Sequence, residues 1–323
     1  MSRFGAGILN ELPGLVRASA TLLVADKRVV ELHGLPFDTS HVLIDADERI
    51  KTLDTWRQVL DALVDNGLDR DAMLIAFGGG VILDLAGFAA ATYLRGIRWI
   101  ALPTTLLAMV DAAHGGKTGV DHPAAKNLIG AFHPPVEVLA DTDVLKTLPE
   151  REVRGGLAEV VKHAVIGAPD LLLRAGRDDP ASFVAEAAQV KLEIVKRDLR
   201  EQGERRHLNL GHTLGHAVER ASRYALHHGE AVAIGLRAAC RIAESHCGFT
   251  ESAAVNDALD RCGLPTHAEV GKDDVLQALR HDKKRRDQIL RWVLPLRVGQ
   301  VKVFDDVPEA LVVAALEETV TSR

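Results

Sequence analysis

The residues with the most evident chemistry lie in a histidine-rich stretch from Leu208 to Glu230. This stretch holds four of the fourteen histidines of the chain, and His212 and His216 are four residues apart. In a helix that spacing places both rings on one face, and the same face continues backwards through Asn209 to Arg205. Spacing alone therefore predicts that the two histidines share a metal ion. The alternative is a histidine pair on a polar helix face without a ligand.

Composition indicates an ordinary globular protein. The 323 residues, 47% of them hydrophobic and 26% charged, are enough for two domains, and a formal net charge of −6 argues against general nucleic-acid binding. No apolar run reaches the roughly 18 residues that a membrane span needs, and the N-terminus lacks an apolar signal core. We therefore expect a cytoplasmic protein.

Cys240, Cys247 and Cys262 show no CxxC spacing and are expected as buried apolar residues.

The elements that must position these residues differ between the two halves of the chain. The first half alternates short apolar runs with an amphipathic segment, Asp54 to Asn66, which predicts an α/β fold with a parallel sheet. The predicted strands are Thr21–Ala25, His41–Ile44, Met73–Phe77, Trp99–Leu102 and Val136–Ala140.

A run of three glycines, Gly78 to Gly80, follows the third of these strands and opens a helix. Glycines let the backbone approach a ligand closely, and the N-terminus of a helix favours phosphate. The run predicts a site for the pyrophosphate of a dinucleotide, although a tight turn between strand and helix would look the same.

Two further segments offer positive charge beside small or apolar residues. Lys117 lies among glycines, and Lys126 and Asn127 precede an apolar run. Ammonium and amide donors in such surroundings predict an anion cradle, with an exposed loop as the alternative. The spacing of a Walker phosphate loop is absent.

From about residue 148 onward the pattern is helical, so we predict domains at 1–148 and 149–323. Glu159 and Lys162 are three residues apart on one predicted helix face, where an exposed ion pair is the simplest interpretation. A charge run at Asp282–Asp287 is typical of a solvated face. The predicted elements are helices at Glu150–Ile166, Ala185–Glu201 and Ala231–Ser245 and a strand at Ile289–Leu296.

Several longer motifs, in this order, resemble the 3-dehydroquinate synthase family of sugar-phosphate cyclases. They are GGGVxxDLAGFAAATYLRG, PTTLLAMVD, GGKTGVD, KNLIGAFHPP, KTLPEREVRGGLAEVVKH, LNLGHTLGHAVE and HHGEAVAIG, within roughly Asp26 to Leu296. The resemblance implies a Rossmann-like NAD-binding domain followed by an α-helical domain that binds metal and substrate. It also implies a homodimeric lyase that requires NAD and a divalent metal, zinc or cobalt. This lyase would belong to the shikimate pathway, which makes aromatic amino acids.

The implied reaction converts 3-deoxy-D-arabino-heptulosonate 7-phosphate to 3-dehydroquinate and phosphate. It proceeds by transient oxidation with NAD, elimination of phosphate, re-reduction and an intramolecular aldol closure. By resemblance, the metal ligands are Glu159, His212 and His228. The implied substrate and catalytic residues are Arg95, from the partner subunit of the dimer, and Asp111, Lys117, Asn127, Lys162, Lys191, Glu201, Arg205, Asn209, His216 and Lys284. The implied NAD contacts are Asp26, Glu48, Lys51, Gly79, Gly80, Asp84, Thr104, Thr105, Lys126 and Thr147.

The chain departs from the family pattern at Ala112-Ala113-His114, Ala125 and Leu199, and we expect it to lack an initial strand. These departures leave room for a specialised relative such as an aminodehydroquinate synthase of an antibiotic pathway. Cyclases of sedoheptulose 7-phosphate fit less well, since Lys191 and Arg205 match a carboxylate-binding pair that such a substrate does not need. A metal-dependent NAD polyol dehydrogenase and an inactive metal-binding or assembly protein are the remaining alternatives.

Overall fold

A computed structural model describes residues 1–285 and 290–321 of the chain, and within 281–285 it describes the backbone alone. These residues form two units, Met1–Val153 and Arg154–Arg323. The predicted charge run Asp282–Asp287 and the start of the predicted strand at Ile289 lie outside the described side chains.

The strands of the first unit are β1 (Ser2–Gly5), β2 (Thr21–Asp26), β3 (His41–Ile44), β4 (Met73–Gly78), β5 (Arg98–Pro103), β6 (Lys117–His122), β7 (Ala125–Phe132) and β8 (Glu137–Asp141). Six of them form a parallel sheet with the strand order β1-β8-β5-β4-β2-β3. Its helices are α1 (Leu12–Leu15), α2 (Lys27–His33), α3 (Leu53–Asp65) and α4 (Gly80–Thr92).

Alternating residues of the central strands pack into two apolar clusters. Leu74 and Ala76 of β4 belong to one cluster, whereas Ile75 and Phe77 belong to the other. Both faces of the sheet are therefore buried, as is usual for a parallel sheet covered by helices. The predicted α/β class and all five predicted strands of this unit are confirmed.

Two features of this unit differ from the sequence prediction. The expectation that the chain lacks an initial strand is wrong, because β1 pairs with β8 in parallel. The lysine-bearing segments form an antiparallel hairpin, β6 with β7, that stands apart from the main sheet. Gly119 and Gly130 face each other across this hairpin, and the absence of a regular apolar alternation explains why it was not predicted.

The second unit is mainly helical, as predicted, and its first helix begins at Glu150, just before the unit itself. Its helices are α5 (Glu150–Ile166), α6 (Leu171–Arg174), α7 (Val184–Arg197), α8 (His212–Ala221), α9 (His228–Cys247), α10 (Ser252–Arg261), α11 (Lys272–Arg285) and α12 (Glu309–Thr319). Its strands form a parallel pair and an antiparallel pair, namely β9 (Ala268–Glu269) with β12 (Val320–Thr321) and β10 (Trp292–Arg297) with β11 (Gln300–Phe304).

Helix α7 ends at Arg197, four residues before the predicted end at Glu201. The chain leaves the helix at Asp198, where φ is −144° and ψ is 79°. The Asp198 carboxylate then accepts hydrogen bonds from the backbone N–H groups of Gln202 and Gly203, at 3.0 and 2.7 Å. These local bonds compete with a further helical turn.

Within the described part of the chain, no helix has both the length and the apolar character needed to cross a membrane. Cys240 and Cys262 are buried and Cys247 is half-buried, and all three are free thiols. Burial raises the pKa of the Cys240 thiol to about 12, so this residue is an inert apolar side chain, as predicted.

Candidate active site

Close helix packing brings the metal-binding candidates of the second unit together. Gly229 on α9 lies against Gly155 on α5, and a Cβ atom at Gly229 would be only 2.3 Å from the Gly155 carbonyl oxygen. Gly235 on α9 likewise faces Gly211, where a Cβ would be 1.9 Å from the carbonyl oxygen. Glycines in the GHTLGH and HHGEAVAIG motifs thus allow α5 and α8 to contact α9 backbone to backbone.

The start of α9 explains the four residues of the HHGE motif. His227 precedes the helix, and its backbone N–H donates to Glu230 Oε2 at 2.8 Å, which caps the first turn. His228 is the first helical residue, and Gly229 makes the close contact with α5. The cap therefore holds His228 at a defined position beside Glu159.

Glu159, His212 and His228 form a cluster whose donor atoms all lie within 4.8 Å of one another. Glu159 Oε1 is 3.5 Å from His212 Nε2 and 3.4 Å from His228 Nε2. Two donor atoms about 2.1 Å from one zinc ion, at tetrahedral angles, lie about 3.4 Å apart. One carboxylate and two imidazoles at these distances fit a divalent metal and leave coordination positions for a substrate.

Lys162 contacts the other oxygen of the same carboxylate, Glu159 Oε2. Both side chains are fully buried, at 1% and 0% exposure, so the interpretation as an exposed ion pair is wrong. The two oxygens of Glu159 therefore face different partners, an ammonium group on one side and two imidazoles on the other.

The pKa values of the two histidines are shifted in opposite directions. Burial, reinforced by the Lys162 ammonium, lowers the pKa of His212 to about 3, which keeps the ring neutral. Burial also acts to lower the pKa of His228, but hydrogen bonds to Glu159 and Glu219 outweigh it and raise this pKa to about 10. The carboxylates thus stabilise positive charge at this position, and a divalent cation would experience the same attraction.

His216 lies one turn after His212 on α8, as its spacing predicts, and the two rings meet edge to face at 5.3 Å between centroids. Arg205 and Asn209 do not continue this α-helix, because they belong to a separate 3₁₀ segment, Glu204–Asn209, that ends before Gly211. Among the described residues, no group of three potential ligands combines His212 with His216. The single helical stripe inferred from spacing is therefore wrong.

The segment before α8 gathers several of the predicted substrate residues. Asn209 Nδ2 donates to Glu201 Oε1 at 2.7 Å, and Glu201 has a positive φ of 58°. Arg205 is 2% exposed, and its guanidinium donates to the carbonyl oxygen of Leu199. Lys191 on α7 is 8% exposed, so both predicted carboxylate-binding cations are buried.

In the first unit, predicted NAD residues follow the carboxyl ends of three adjacent parallel strands. Asp26 ends β2, Gly79 and Gly80 follow β4, and Thr104 and Thr105 follow β5. The strand order changes direction between β2 and β4, and ligands of open α/β sheets bind in the crevice at such a point.

A second group of predicted residues surrounds the buried Lys51. Its Nζ contacts Asp84 Oδ2 and Asn127 Oδ1, and Lys126 Nζ is 3.7 Å from Glu48 Oε1. Burial acts to lower the pKa of Lys51, but Asp84 and Glu48 outweigh it and raise this pKa above its ordinary value. Lys51 thus joins the start of α4 to the β6–β7 hairpin as a permanent cation.

The remaining predicted residues belong to other segments of the chain. Asp111 lies in a π-helical turn, Ala108–Ala112, a conformation that often marks functional sites. Lys117 begins β6 and is exposed, as is Arg95, which has a positive φ of 68°. Thr147 Oγ1 hydrogen-bonds His33 Nε2 at 2.7 Å. Lys284 lies in α11, but its side chain is outside the described part of the structure.

Sequence reasoning missed Glu219, a buried carboxylate on α8 whose Oε2 is 3.5 Å from His228 Nδ1. The signal was present, since Glu219 is seven residues after His212 and three after His216 and so lies on the same helix face. It sits at the end of the LNLGHTLGHAVE motif.

Comparison with known proteins agrees with the resemblance. Family models described as the N-terminal and C-terminal parts of 3-dehydroquinate synthase match residues 41–155 and 156–285. A 3-dehydroquinate synthase of Symbiobacterium thermophilum is 43% identical over 338 residues, which cover 95% of this chain and 94% of the relative.

Two solved structures are also similar over nearly the whole chain. A 2-epi-5-epi-valiolone synthase from Streptomyces hygroscopicus subsp. jinggangensis 5008, with NAD⁺ and Zn²⁺ bound, has a TM-score of 0.90 and 32% identity, covering 98% of this chain and 95% of that one. A 2-deoxy-scyllo-inosose synthase complexed with carbaglucose-6-phosphate, NAD⁺ and Co²⁺ has a TM-score of 0.88 and 27% identity, covering 98% and 96%. The chain therefore belongs to the 3-dehydroquinate synthase family.

Proposed function

We propose that the chain converts 3-deoxy-D-arabino-heptulosonate 7-phosphate to 3-dehydroquinate and phosphate, with NAD and a divalent metal as cofactors. The observation that carries this proposal is the cluster of Glu159, His212 and His228, in which one carboxylate oxygen faces two imidazole nitrogens at 3.4 and 3.5 Å. Relatives that are 43% identical over most of the chain bear the name of this activity.

Glu159, His212 and His228 would hold the metal, for which zinc and cobalt are both suitable. When bound, the metal would supply Lewis acidity that eases deprotonation of a substrate alcohol. Lys162 places a positive charge beside the Glu159 carboxylate in a fully buried position, where an ionised carboxylate needs such a partner. Similar structures with NAD⁺ and Zn²⁺ or Co²⁺ bound support this choice of cofactors.

The NAD-binding domain, predicted at residues 1–148, would bind NAD at the carboxyl ends of β2, β4 and β5. When bound, NAD would accept a hydride from the substrate and later return it, so that no NADH accumulates. The backbone at Gly79 and Gly80 would approach the pyrophosphate, because a helix begins there and no side chains intervene.

The helical second unit would bind the substrate carboxylate through Lys191 and Arg205. Both cations are buried, and a buried guanidinium is well suited to a planar, two-point contact with a carboxylate. This pair favours a sugar acid over a neutral sugar as substrate. The fixed contact between Asn209 and Glu201 would hold the adjoining segment in one conformation.

We also infer a homodimer, in which Arg95 of one subunit completes the site of the other. Arg95 is exposed in the single chain and follows Leu94, and both residues have positive φ values, 68° and 49°. Such backbone strain is characteristic of functional sites. The cytoplasmic location stays a prediction.

Phosphate release tests the proposed reaction. With the heptulosonate phosphate and trace NAD, we expect many phosphate ions released per NAD, loss of release after chelation, and recovery when zinc or cobalt is restored. A metal-dependent polyol dehydrogenase would instead accumulate NADH in step with product. The proposal would be contradicted if phosphate release continued unchanged after chelation, or if the metal-loaded protein released no phosphate.

Arg205→Ala tests the choice of a carboxylate-bearing substrate. Loss of a charge-assisted bidentate contact is expected to raise KM for the heptulosonate phosphate by roughly 10- to 100-fold, about 1.5–3 kcal/mol. Binding of NAD, measured by titration, should be unchanged because Arg205 lies outside the first unit. If Arg205→Ala keeps the native KM, or if it loses NAD binding, Arg205 does not bind the substrate carboxylate as proposed.

A further inference from the structure

Glu219 is a buried acidic residue beside the metal cluster that the proposed reaction does not use. It lies on α8, is 5% exposed, and places Oε2 3.5 Å from Nδ1 of His228. On the opposite side of the same ring, Nε2 is 3.4 Å from Glu159 Oε1. His228 therefore lies between two carboxylates, one at each ring nitrogen.

The two ring nitrogens of a neutral imidazole have different functions. A nitrogen that binds a metal must offer its lone pair, so the proton must be on the other nitrogen. For Nε2 of His228 to bind the metal, Nδ1 must carry the proton and needs a hydrogen-bond acceptor. An ionised carboxylate can only accept, so Glu219 selects this tautomer.

His212 shows the same arrangement with a different acceptor. Its Nδ1 is 3.1 Å from the carbonyl oxygen of Leu210, while its Nε2 faces Glu159 Oε1. Both histidines thus have Nδ1 beside an acceptor and Nε2 directed at Glu159. For His212 the acceptor belongs to the backbone, whereas for His228 it is a side chain that mutation can remove.

Packing of α8 against α9 fixes the distance between Glu219 and His228. Gly215 on α8 lies against Ala231 on α9, where a Cβ atom would be 3.0 Å from the carbonyl oxygen. The contact of 3.5 Å is long for a hydrogen bond. Contacts in catalytic sites are often long without ligands and tighten when these bind.

We propose that Glu219 is a positioning residue that holds His228 in the tautomer required for metal binding. This inference rests on the proposed function and adds a residue that acts on the metal through His228. Carboxylate partners of metal-binding histidines typically change metal affinity by roughly 10- to 100-fold.

The geometry also places Glu219 in a second group of potential metal ligands. His216, Glu219 and His228 have donor atoms within 4.8 Å of one another, as expected for ligands of a second ion. The two interpretations give different metal stoichiometries, so the experiment can separate them. Because Nε2 of His228 points toward Glu159, the geometry favours a single metal at Glu159.

The experiment compares the wild type with Glu219→Gln and Glu219→Leu in full-length protein. Zinc affinity is measured by competition with a chromogenic chelator, and spectra of zinc-loaded, ¹⁵N-histidine-labelled protein show whether Nδ1 of His228 carries the proton. Glu219→Gln retains an acceptor without the charge, so we expect zinc affinity to fall roughly tenfold. Glu219→Leu removes the acceptor. For this variant we expect zinc affinity to fall roughly 100-fold and the Nδ1–H signal of His228 to be lost. Glu244→Gln, an exposed acid on α9, is the matched control and should bind zinc like the wild type.

Native zinc affinity in Glu219→Gln would overturn the proposal, and this variant decides the question if Glu219→Leu does not fold. A second zinc equivalent in the wild type that disappears in both Glu219→Gln and His216→Ala would also overturn it, because Glu219 would then be a ligand. Phosphate release is measured separately. If the wild type binds zinc but releases no phosphate, the proposed reaction fails while the effect of Glu219 on zinc affinity still stands.

Discussion

At the residue scale, the central feature of the site is that the two oxygens of the Glu159 carboxylate have different partners. Glu159 directs Oε1 to two imidazole nitrogens and Oε2 to the Lys162 ammonium, and the side chain is fully buried. A buried carboxylate with no compensating charge is costly. Lys162 therefore stabilises Glu159 whether or not a metal is present, which makes the site competent to receive one.

Replacement of Lys162 by Met tests this relation. Loss of one partner of a buried ion pair costs about 3–5 kcal/mol, so the metal-free variant should be strongly destabilised. Zinc would restore a cation beside Glu159, so the stabilisation on adding zinc should be larger in Lys162→Met than in the wild type. Denaturant unfolding with chelator and with zinc measures both quantities.

Lys146→Met is the matched control, since Lys146 also pairs with an acid at i,i+3 spacing but is 77% exposed. The expected result is an unchanged response to zinc. An equal zinc effect in Lys162→Met and the wild type would show that Lys162 does not compensate the charge of Glu159.

Spacing and resemblance predicted different parts of the metal cluster. Helical spacing indicated His212 and His216, whereas the motif resemblance named Glu159, His212 and His228, the cluster that the structure brings together. Spacing could not find Glu159 and His228, because they are on other helices and only tertiary packing unites them. Glu219 shares a helix face with His212 and His216, but its partner His228 is on another helix, so the spacing could not show what Glu219 contacts.

At the element scale, glycines on α9 determine how closely the ligand-bearing helices approach. Gly229 follows the candidate ligand His228 directly and lies against Gly155 of α5. Any side chain at Gly229 would push α9 away from α5 and increase the distance between His228 and Glu159. We therefore expect these glycines to contribute to metal binding through packing.

Gly229→Ala is predicted to weaken both the fold and the metal site. The added Cβ would lie 2.3 Å from the Gly155 carbonyl oxygen, and overpacking of this kind costs about 1–3 kcal/mol. Thermal unfolding and zinc competition measure the two effects.

The matched control for this prediction is on the other side of the same contact. A Cβ at Gly155 would meet nothing within 4 Å, so Gly155→Ala should be neutral or should stabilise α5 by up to about 1 kcal/mol. If both variants behave alike, close approach at Gly229 is not what positions His228.

The predictability of the elements depended on the strength of their local pattern. Buried parallel strands such as Met73–Gly78 are continuous apolar runs and were predicted, as was α5 with its bounds. The β6–β7 hairpin was not, because Lys117, Gly119 and Gly130 interrupt any alternation. The end of α7 was misplaced because the side chain of Asp198, not a glycine or proline, turns the chain.

At the scale of the whole molecule, likeness to solved structures leaves the substrate open. The valiolone and scyllo-inosose synthases share the fold with TM-scores of 0.90 and 0.88, yet their names denote different products. We therefore expect individual residues such as Arg205 to decide the substrate, since function depends on the site more than on the fold.

The proposed dimer makes a prediction that only whole molecules can test. Arg95→Ala and His212→Ala should each be inactive, because the first variant lacks a guanidinium group and the second lacks a metal ligand. If Arg95 acts across the interface, a hybrid dimer of the two variants contains one complete site and one site lacking both groups. Random reassortment of a twofold dimer should therefore restore about a quarter of the wild-type phosphate release. If Arg95 acts within its own chain, every site stays defective, and no activity should appear when the variants are mixed and allowed to exchange subunits.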